Sequence, residues 1–350
     1  MPVLGAWLVT GYDLALEVLR DSRTFTVDDP RFSTAKVVGP SMLSLDGTAH
    51  AHHRGPFSDA FRPATVRSRL EAVIRAETER LVLAIAPRGE AELRRAVAGP
   101  LAVAVIAEVL GLGATDPATI LTWYDSIVAV VQSASPGRER IPNAGFDGLA
   151  TSLHEVLATR PGASLLAEVT GSLTEAQAIS NAAVLMFGGI ETTEGMIANV
   201  MLHLLASPAE LAAVRAEPSL VAAAVEESLR LEPAAAVVDR YATRDVELAG
   251  AKVKAGDQVT VSISGANRDP AVFADPDRFD VSRPNAGKHL AFAHGPHFCL
   301  GAHLARLEAR FAVETLLARL PRLRLDPRSP AAPRGLVFRK PADLRVLWET

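Results

Sequence analysis

Phe292-Ala293-His294-Gly295-Pro296-His297-Phe298-Cys299-Leu300-Gly301 holds the only cysteine of a 350-residue chain and sets it just ahead of a strongly helical run. From His303 the sequence HLARLEARFAVETLLARL brings Leu304, Leu307, Phe311, Val313, Leu317 and Leu320 near one face at helical spacing. The decapeptide therefore delivers Cys299 to a helix N-terminus. There, unpaired amide N–H groups and the positive end of the helix dipole favour a thiolate, the form that binds a metal or attacks an electrophile. Gly295 and Gly301 bracket the sulfur where the backbone turns sharply or admits a bulky planar group, and Pro296 stiffens the loop between them. A lone cysteine with no such flanks reads equally well as a small, inert core residue.

The pattern Phe-x-x-Gly-x-His-x-Cys-x-Gly, entering a helix that begins Ala-His-Leu-Ala-Arg-Leu-Glu, resembles the haem-binding loop of bacterial cytochrome P-450 enzymes. The resemblance implies that Cys299 is the axial thiolate of a haem iron, with Phe292, His297 and Gly301 beside the cofactor. Ala293 departs from the pattern, because the family usually has glycine there.

Composition sets the frame. Hydrophobic residues make up 49% of the chain, enough for a sizeable core. Thirty-six basic against 40 acidic groups give a formal charge of −4, which offers no electrostatic footprint for nucleic acid. One cysteine excludes an intramolecular disulfide framework and fits a reducing compartment, so the cytoplasm is expected. The N-terminal MPVLGAWLVTGYD lacks the features of a secretory signal. The longest apolar stretch, 96–112, is interrupted by Pro100, Glu108 and two glycines, so it reads as a core helix rather than a membrane span.

In chain order, AWLVT (6–10) predicts a strand and 13–19 a helix; relatives in the resembled family carry a further helix region ahead of this point, and the resemblance implies that it is missing here. Residues 28–45, rich in Asp, Pro, Ser, Thr and Gly, predict an irregular loop, which the resemblance places over the substrate. In the next segment, DGTAHAHHRGPFSDAF, His50 and Arg54 share a helical face; the resemblance makes them haem-propionate ligands. His50, His52 and His53, with the histidines near Cys299, also suggest a zinc site, but their spacing closes no tetrahedron. Helices are predicted at 63–86, 93–112, 117–131 and 146–159. A Pro/Gly-rich break at 133–145 separates the last two, which by resemblance roof the substrate.

Residues 174–206 form the longest periodic stretch, opening on Thr174 with Gln177 three residues later, the pattern of a capping box, and stopped by Pro208. Its apolar middle carries Phe187-Gly188-Gly189-Ile190-Glu191-Thr192-Thr193. Each glycine costs roughly 1 kcal/mol relative to alanine inside a helix, and removes a side chain where a flat cofactor or dioxygen can pack. Glu191 and Thr192 form an acid–alcohol pair able to pass protons to dioxygen as it is reduced. The segment resembles the Gly-x-Asp/Glu-Thr-Thr motif of the same family. The other reading of the segment alone is a glycine kink in a core helix with an ordinary ion-paired glutamate.

Glu227 and Arg230 stand three apart on a predicted helix, a pair that any surface helix carries. In this order they match the family's Glu-x-x-Arg, and Pro276, Phe279 and Arg283 match the later segment whose arginine completes a structural triad. Alternation predicts strands at 246–248 and 258–263, and strand-like pieces follow at 335–338 and 344–348. By resemblance Arg240 is a further propionate ligand, and Ala234, Val237 and Leu336 line the substrate pocket.

The expected architecture is a mainly α fold with small β-sheets, one catalytic domain over residues 1–350, holding haem b between the 174–206 helix and the Cys299 loop. The implied activity is a haem-thiolate monooxygenase that activates dioxygen and oxidises a small, apolar organic substrate, plausible in secondary metabolism. A separate ferredoxin or flavodoxin with its reductase supplies electrons, and Arg54, Arg62, Arg67, Arg69 and Arg306 offer a basic face for it, or are scattered surface charge. A peroxide-driven or oxidative-coupling enzyme and a non-enzymatic haem-binding protein are the alternatives on this fold.

Overall fold

The computed structural model describes residues 5–133, 141–159, 166, 168 and 171–350. The chain opens with β1 (Ala6–Val9) and α1 (Tyr12–Arg20), then β2 (Phe25–Thr26), α2 (Ser33–Val38), α3 (Gly47–Ser58), α4 (Pro63–Ile85) and β3 (Glu90–Glu92). A π-helical turn (Arg94–Ala98) leads into α5 (Gly99–Leu110), followed by α6 (Pro117–Ser133), α7 (Ala144–Thr159), α8 (Glu175–Ala206), α9 (Pro208–Ala216) and α10 (Val221–Leu231). Four strands come next: β4 (Val237–Ala242), β5 (Val246–Leu248), β6 (Ala251–Val253) and β7 (Gln258–Ser262). The C-terminal part holds α11 (Ala302–Arg319), β8 (Arg324–Leu325), β9 (Pro333–Arg334), β10 (Lys340–Pro341) and β11 (Arg345–Leu347). Mainly α with small sheets is the architecture expected from periodicity.

The long helix α8 organises the rest. Thr174 and Gln177 form the predicted capping box, so two N-terminal amide donors are satisfied by side chains. Its 32 residues span about 48 Å at 1.5 Å per residue. Most are buried, because α5, α10 and α11 pack around it. Pro208 removes the next helical donor, and α9 leaves at 103° to α8. Among the described residues no single helix is long and apolar enough to cross a membrane.

A second, smaller core lies beneath a four-stranded sheet of order β1-β7-β4-β2. The parallel pair Ala6↔Gln258 to Val9↔Val261 joins the start of the chain to a strand some 250 residues later, and β4 runs antiparallel to β7 on its other side.

Two expectations are corrected. Residues 28–45 are not wholly irregular: Ser33–Val38 form one and a half turns of helix, whose Thr34, Val37 and Val38 are buried. Residues 335–338 are not a strand but the turn between β9 and β10, because Gly335 has φ +109 and Phe338 makes only an isolated bridge to Ala235. Of the Pro/Gly break between α6 and α7, residues 134–140 lie outside the described set.

Candidate active site

The Cys299 loop is built by its own backbone. Phe292 O accepts from Cys299 N at 2.8 Å, Gly295 O accepts from Phe298 N at 3.0 Å, and a 3-10 turn fills the space between. Gly295 has φ +72, and a Cβ there would lie 2.5 Å from Leu19 O, so α1 and the loop meet only because this side chain is absent. Ala293 also has positive φ, +57, the conformation for which glycine is the unstrained choice. Gly301 needs no such freedom: its φ is ordinary, and a Cβ would meet nothing within 4 Å. Cys299 itself is accessible at its residue surface. The protein packed around the sulfur nonetheless pushes its thiol pKa up, against the Gly301 N–H and the charges of Arg54 and Arg306. Helix-terminus stabilisation alone therefore does not ionise this thiol.

Beside it, Arg306 lies 4.4 Å over the Phe292 ring and is held by Glu226, which is also in contact with His289. Burial pushes the Glu226 pKa up, but the His289 and Arg306 hydrogen bonds outweigh it and bring it down to about 2. Deeper on this side, Arg230 makes a two-point ion pair with Glu227 at 2.7 and 2.8 Å, and Arg283 Nε reaches the same carboxylate at 2.9 Å. Glu227 and Arg230 are fully buried. The remaining guanidinium donors go to the carbonyls of Asn267, Ala274, Asp275, Pro276 and Arg278. The three residues thus form one unit, and its role is to fasten 267–283 to α10.

Four groups from three elements gather around Asp46 and the Cys299 loop. His50 and Arg54 come from α3, Arg240 from β4, and His297 from the loop. The rings of His50 and His297 are 4.4 Å apart. Burial, followed by the neighbouring His297 and Arg54 charges, takes the His50 pKa down to about 4, so it is neutral at pH 7, and its Nε2 is buried without a hydrogen-bond partner. Arg54 donates to Phe298 O at 2.6 Å. Arg240 is 4% exposed, yet the hydrogen bond it makes goes to the carbonyl of its neighbour Asp239; burial lowers its pKa to about 10.

Asp46 belongs to the same cluster and was not foreseen. It accepts from His297 at 2.8 Å, from Thr26 at 2.7 Å and from Val27 N at 2.9 Å. Its place as the residue just before α3 was the available signal.

Helix α8 runs unbroken through Gly188 and Gly189. The two glycines differ: a Cβ on Gly188 would meet nothing within 4 Å, whereas one on Gly189 would press on Ile106 at 3.1 Å. Gly189 therefore serves α5–α8 packing, and Gly188 faces open space. Thr192 Oγ1 donates to Gly188 O at 2.5 Å. Glu191 points to other partners: Lys340 Nζ at 2.9 Å and Tyr124 Oη at 2.7 Å. Burial raises the Glu191 pKa, but Lys340 and Tyr124 outweigh it, so the carboxyl is ionised. Lys340 sits in an aperiodic tail and Tyr124 in an apolar helix, so neither carried a signal in the sequence.

Ala234 is buried against α8, where its Cβ approaches Gly195; Val237 is half-buried on β4, and Leu336 is exposed at the β9–β10 turn. Loop 39–44 is anchored on α8 through Ser180 to Pro40 O and Asn181 to Met42 N. Of the five arginines expected to form a basic face, Arg62, Arg69 and Arg306 are paired with Asp59, Glu168 and Glu226. Among the described residues no three His, Cys, Asp or Glu side chains are arranged to hold a metal ion.

A family model described as Cytochrome P450 matches residues 162–331. The cytochrome P450 monooxygenase PikC of Streptomyces venezuelae is 38% identical over 336 residues, covering 91% of this chain and 79% of the relative. The chain belongs to the cytochrome P450 family. Nocardicin C N-oxygenase of Nocardia uniformis subsp. tsuyamanensis is 34% identical over 98% of this P450 and 89% of its own length. The crystal structure of HmtN, a post-tailoring hydroxylase involved in himastatin biosynthesis, superposes with a TM-score of 0.88 at 34% identity, covering all of this chain and 92% of that one. This P450 is accordingly a haem-thiolate monooxygenase, an oxidoreductase whose cofactor is haem b and whose reaction takes a small-molecule substrate, dioxygen and external electrons.

The residues present suit that cofactor. A buried guanidinium whose hydrogen bond among the described residues goes only to a backbone carbonyl, and a buried imidazole nitrogen without a partner, are costly unless a further acceptor such as a carboxylate meets them. Gly188 and Gly301 leave room on two sides that a side chain would fill.

Proposed function

We propose that Cys299 is the iron ligand of this P450, that His50, Arg54, Arg240 and His297 hold the haem propionates, and that Phe292, Gly301 and Gly188 pack against the ring. When bound, the haem supplies the iron at which dioxygen is reduced and one of its atoms is passed to the substrate. The carrying observation is a pair of buried groups, Arg240 hydrogen-bonded among the described residues only to a backbone carbonyl and His50 with an unpartnered Nε2, that share Asp46 as a neighbour, with Asp46 bonded to His297 of the Cys299 loop. Guanidinium and imidazole donors match carboxylate oxygens in charge and direction. A metal-bound thiol is deprotonated outright, so binding iron would release the proton that burial otherwise keeps on Cys299.

Monooxygenation consumes two electrons and two protons for each oxygen atom inserted and each water released. On the distal side the Thr192 hydroxyl keeps its own proton on Gly188 O and has lone pairs free to accept another. Glu191 is ionised at neutral pH, so it takes up a proton before passing it on; it acts as a relay rather than a filled reservoir. Ala234, Val237 and Leu336 present an apolar lining to a small organic substrate, and the named relatives support a place in secondary metabolism. Electrons come from a ferredoxin or flavodoxin with its reductase, in the cytoplasm. The one domain spans residues 1–350.

The carbon-monoxide difference spectrum of the reduced protein, taken with that of Cys299→Ala, tests the ligand. A thiolate-type band in the native protein that is lost in the variant is expected. A blue-shifted band of a neutral ligand in the native protein would overturn the assignment. Turnover with a surrogate ferredoxin pair is expected to exceed turnover with peroxide alone; the reverse result would make this a peroxide-driven enzyme.

A further inference from the structure

A cluster of charge along α8 is left unexplained by cofactor binding. Arg94, from the π-helical turn, contacts Glu194 of α8 through Nε at 3.0 Å and Nη2 at 2.9 Å, with both side chains under one-tenth exposed. Its Nη1 donates to Pro341 O at 3.0 Å and to Ala342 O. Lys340, from β10, is 2.9 Å from Glu191 Oε1 and also pairs with Glu194 Oε2. Tyr124 of α6 donates to Glu191 Oε2 at 2.7 Å. Two cations and two anions are therefore largely withdrawn from water together, Arg94 and Glu194 further than Lys340 and Glu191. Desolvation of such ions costs several kcal/mol each, and apolar side chains would join the same elements without it.

The Arg94–Glu194 arm is enough for joining. It ties the π-helical turn to α8 and grips the carbonyls that follow β10. The Lys340–Glu191 arm does something else. It lies one turn earlier on α8, on the carboxylate adjacent to Thr192, and with Tyr124 it engages both oxygens of that carboxylate. Meanwhile the Thr192 hydroxyl is bonded to Gly188 O, with no hydrogen bond to Glu191. Lys340 is shared, so a small shift toward Glu194 frees one oxygen of Glu191, the most exposed ion of the cluster, while Tyr124 still donates to the other.

We propose that Lys340 is a positioning residue for oxygen activation: bridging Glu191 and Glu194, it holds the Glu191 carboxylate with Tyr124 and sets its availability to Thr192. This rests on the reading of Glu191 and Thr192 as a proton relay. The readout is the partition of electrons, since two electrons and two protons convert dioxygen to one hydrogen peroxide, while four of each convert it to two waters.

Holoenzyme, dioxygen and a surrogate ferredoxin with its reductase are used without organic substrate, and peroxide released per NADPH consumed is measured. Lys340→Met is expected to raise the peroxide fraction several-fold with the thiolate spectrum retained, and Lys340→Arg to restore it. Tyr124→Phe, which keeps all four charges, is expected to move the partition in the same direction by less, and it carries the test should Lys340→Met fail to fold. Adding Lys340→Met to Glu191→Gln is expected to change nothing further. In denaturant unfolding without haem, Lys340→Met and Glu191→Gln are expected to shift the midpoint non-additively, showing the contact independently of turnover.

A wild-type partition in Lys340→Met, or in Tyr124→Phe where only that variant folds, would reduce the cluster to a structural joint. Additive effects on partition would separate Lys340 from Glu191 and overturn the proposal equally. If Glu191→Gln itself leaves the partition unchanged, the relay reading fails. If Glu191→Gln raises peroxide and Lys340→Met does not, only the Lys340 assignment fails.

Discussion

Ala293 and Gly295 stand two apart in the Cys299 loop, both at positive φ, and they carry opposite consequences. For alanine the left-handed region costs roughly 1–2 kcal/mol, partly offset because glycine loses more backbone entropy on folding. Ala293→Gly is therefore expected to raise stability by up to about 1 kcal/mol, seen as a higher melting temperature with the thiolate band kept. Gly295→Ala meets both the φ penalty and Leu19 O at 2.5 Å. It is expected to destabilise by more than about 2 kcal/mol and to lower haem content, read by spectroscopy after purification. The Ala293 departure was visible in the sequence; the contact that makes Gly295 irreplaceable was not, since it involves α1, far away in the chain.

At the scale of elements, α8 shows how two identical residues part company. Gly188→Ala gains helix propensity of about 1 kcal/mol and meets no protein atom within 4 Å, so the protein without haem is expected to melt higher while haem titration weakens. Gly189→Ala must move Ile106, and its propensity gain is expected to be cancelled. The α10–α11 joint is a pH-dependent one. The Glu226 pKa, brought to about 2 in the folded protein, lies below the usual value of roughly 4.3 for an unfolded glutamate. The unfolded chain thus binds the proton first on acidification. The contribution is full above about pH 4.3 and is lost as pH falls through about 2. Glu226→Gln is expected to flatten that limb of a stability-against-pH curve measured in urea.

For the whole molecule, the buried Glu227–Arg230–Arg283 unit decides whether the proximal half holds together. Removing the carboxylate strands two buried guanidinium groups, so Glu227→Ala is expected to cost about 3–5 kcal/mol and to abolish haem incorporation, measured by denaturant unfolding and haem-to-protein ratio. The exposed Arg310–Glu314 pair has the same chemistry one helix away. Its removal is expected to cost no more than about 0.5 kcal/mol. Spacing alone could not rank these pairs, because Glu227 and Arg230 at i and i+3 look like any surface pair until burial is known.

Helix positions, the capping box at Thr174 and the loop that carries the single cysteine were legible in the sequence, since they depend on local periodicity, short-range hydrogen bonding and a lone cysteine in a distinctive setting. Local order also made Glu191 and Thr192 recognisable as neighbours on α8. Tertiary structure alone decided what those residues touch. Lys340 reaches Glu191 across 149 positions of chain, and Asp46 reaches His297 across 251. The same holds for the split between Gly188 and Gly189, which face different neighbours on one helix. The physical reason is range: periodicity reports which face of an element is apolar, whereas ion pairing, desolvation and steric contact depend on which distant segment folding brings within a few ångströms.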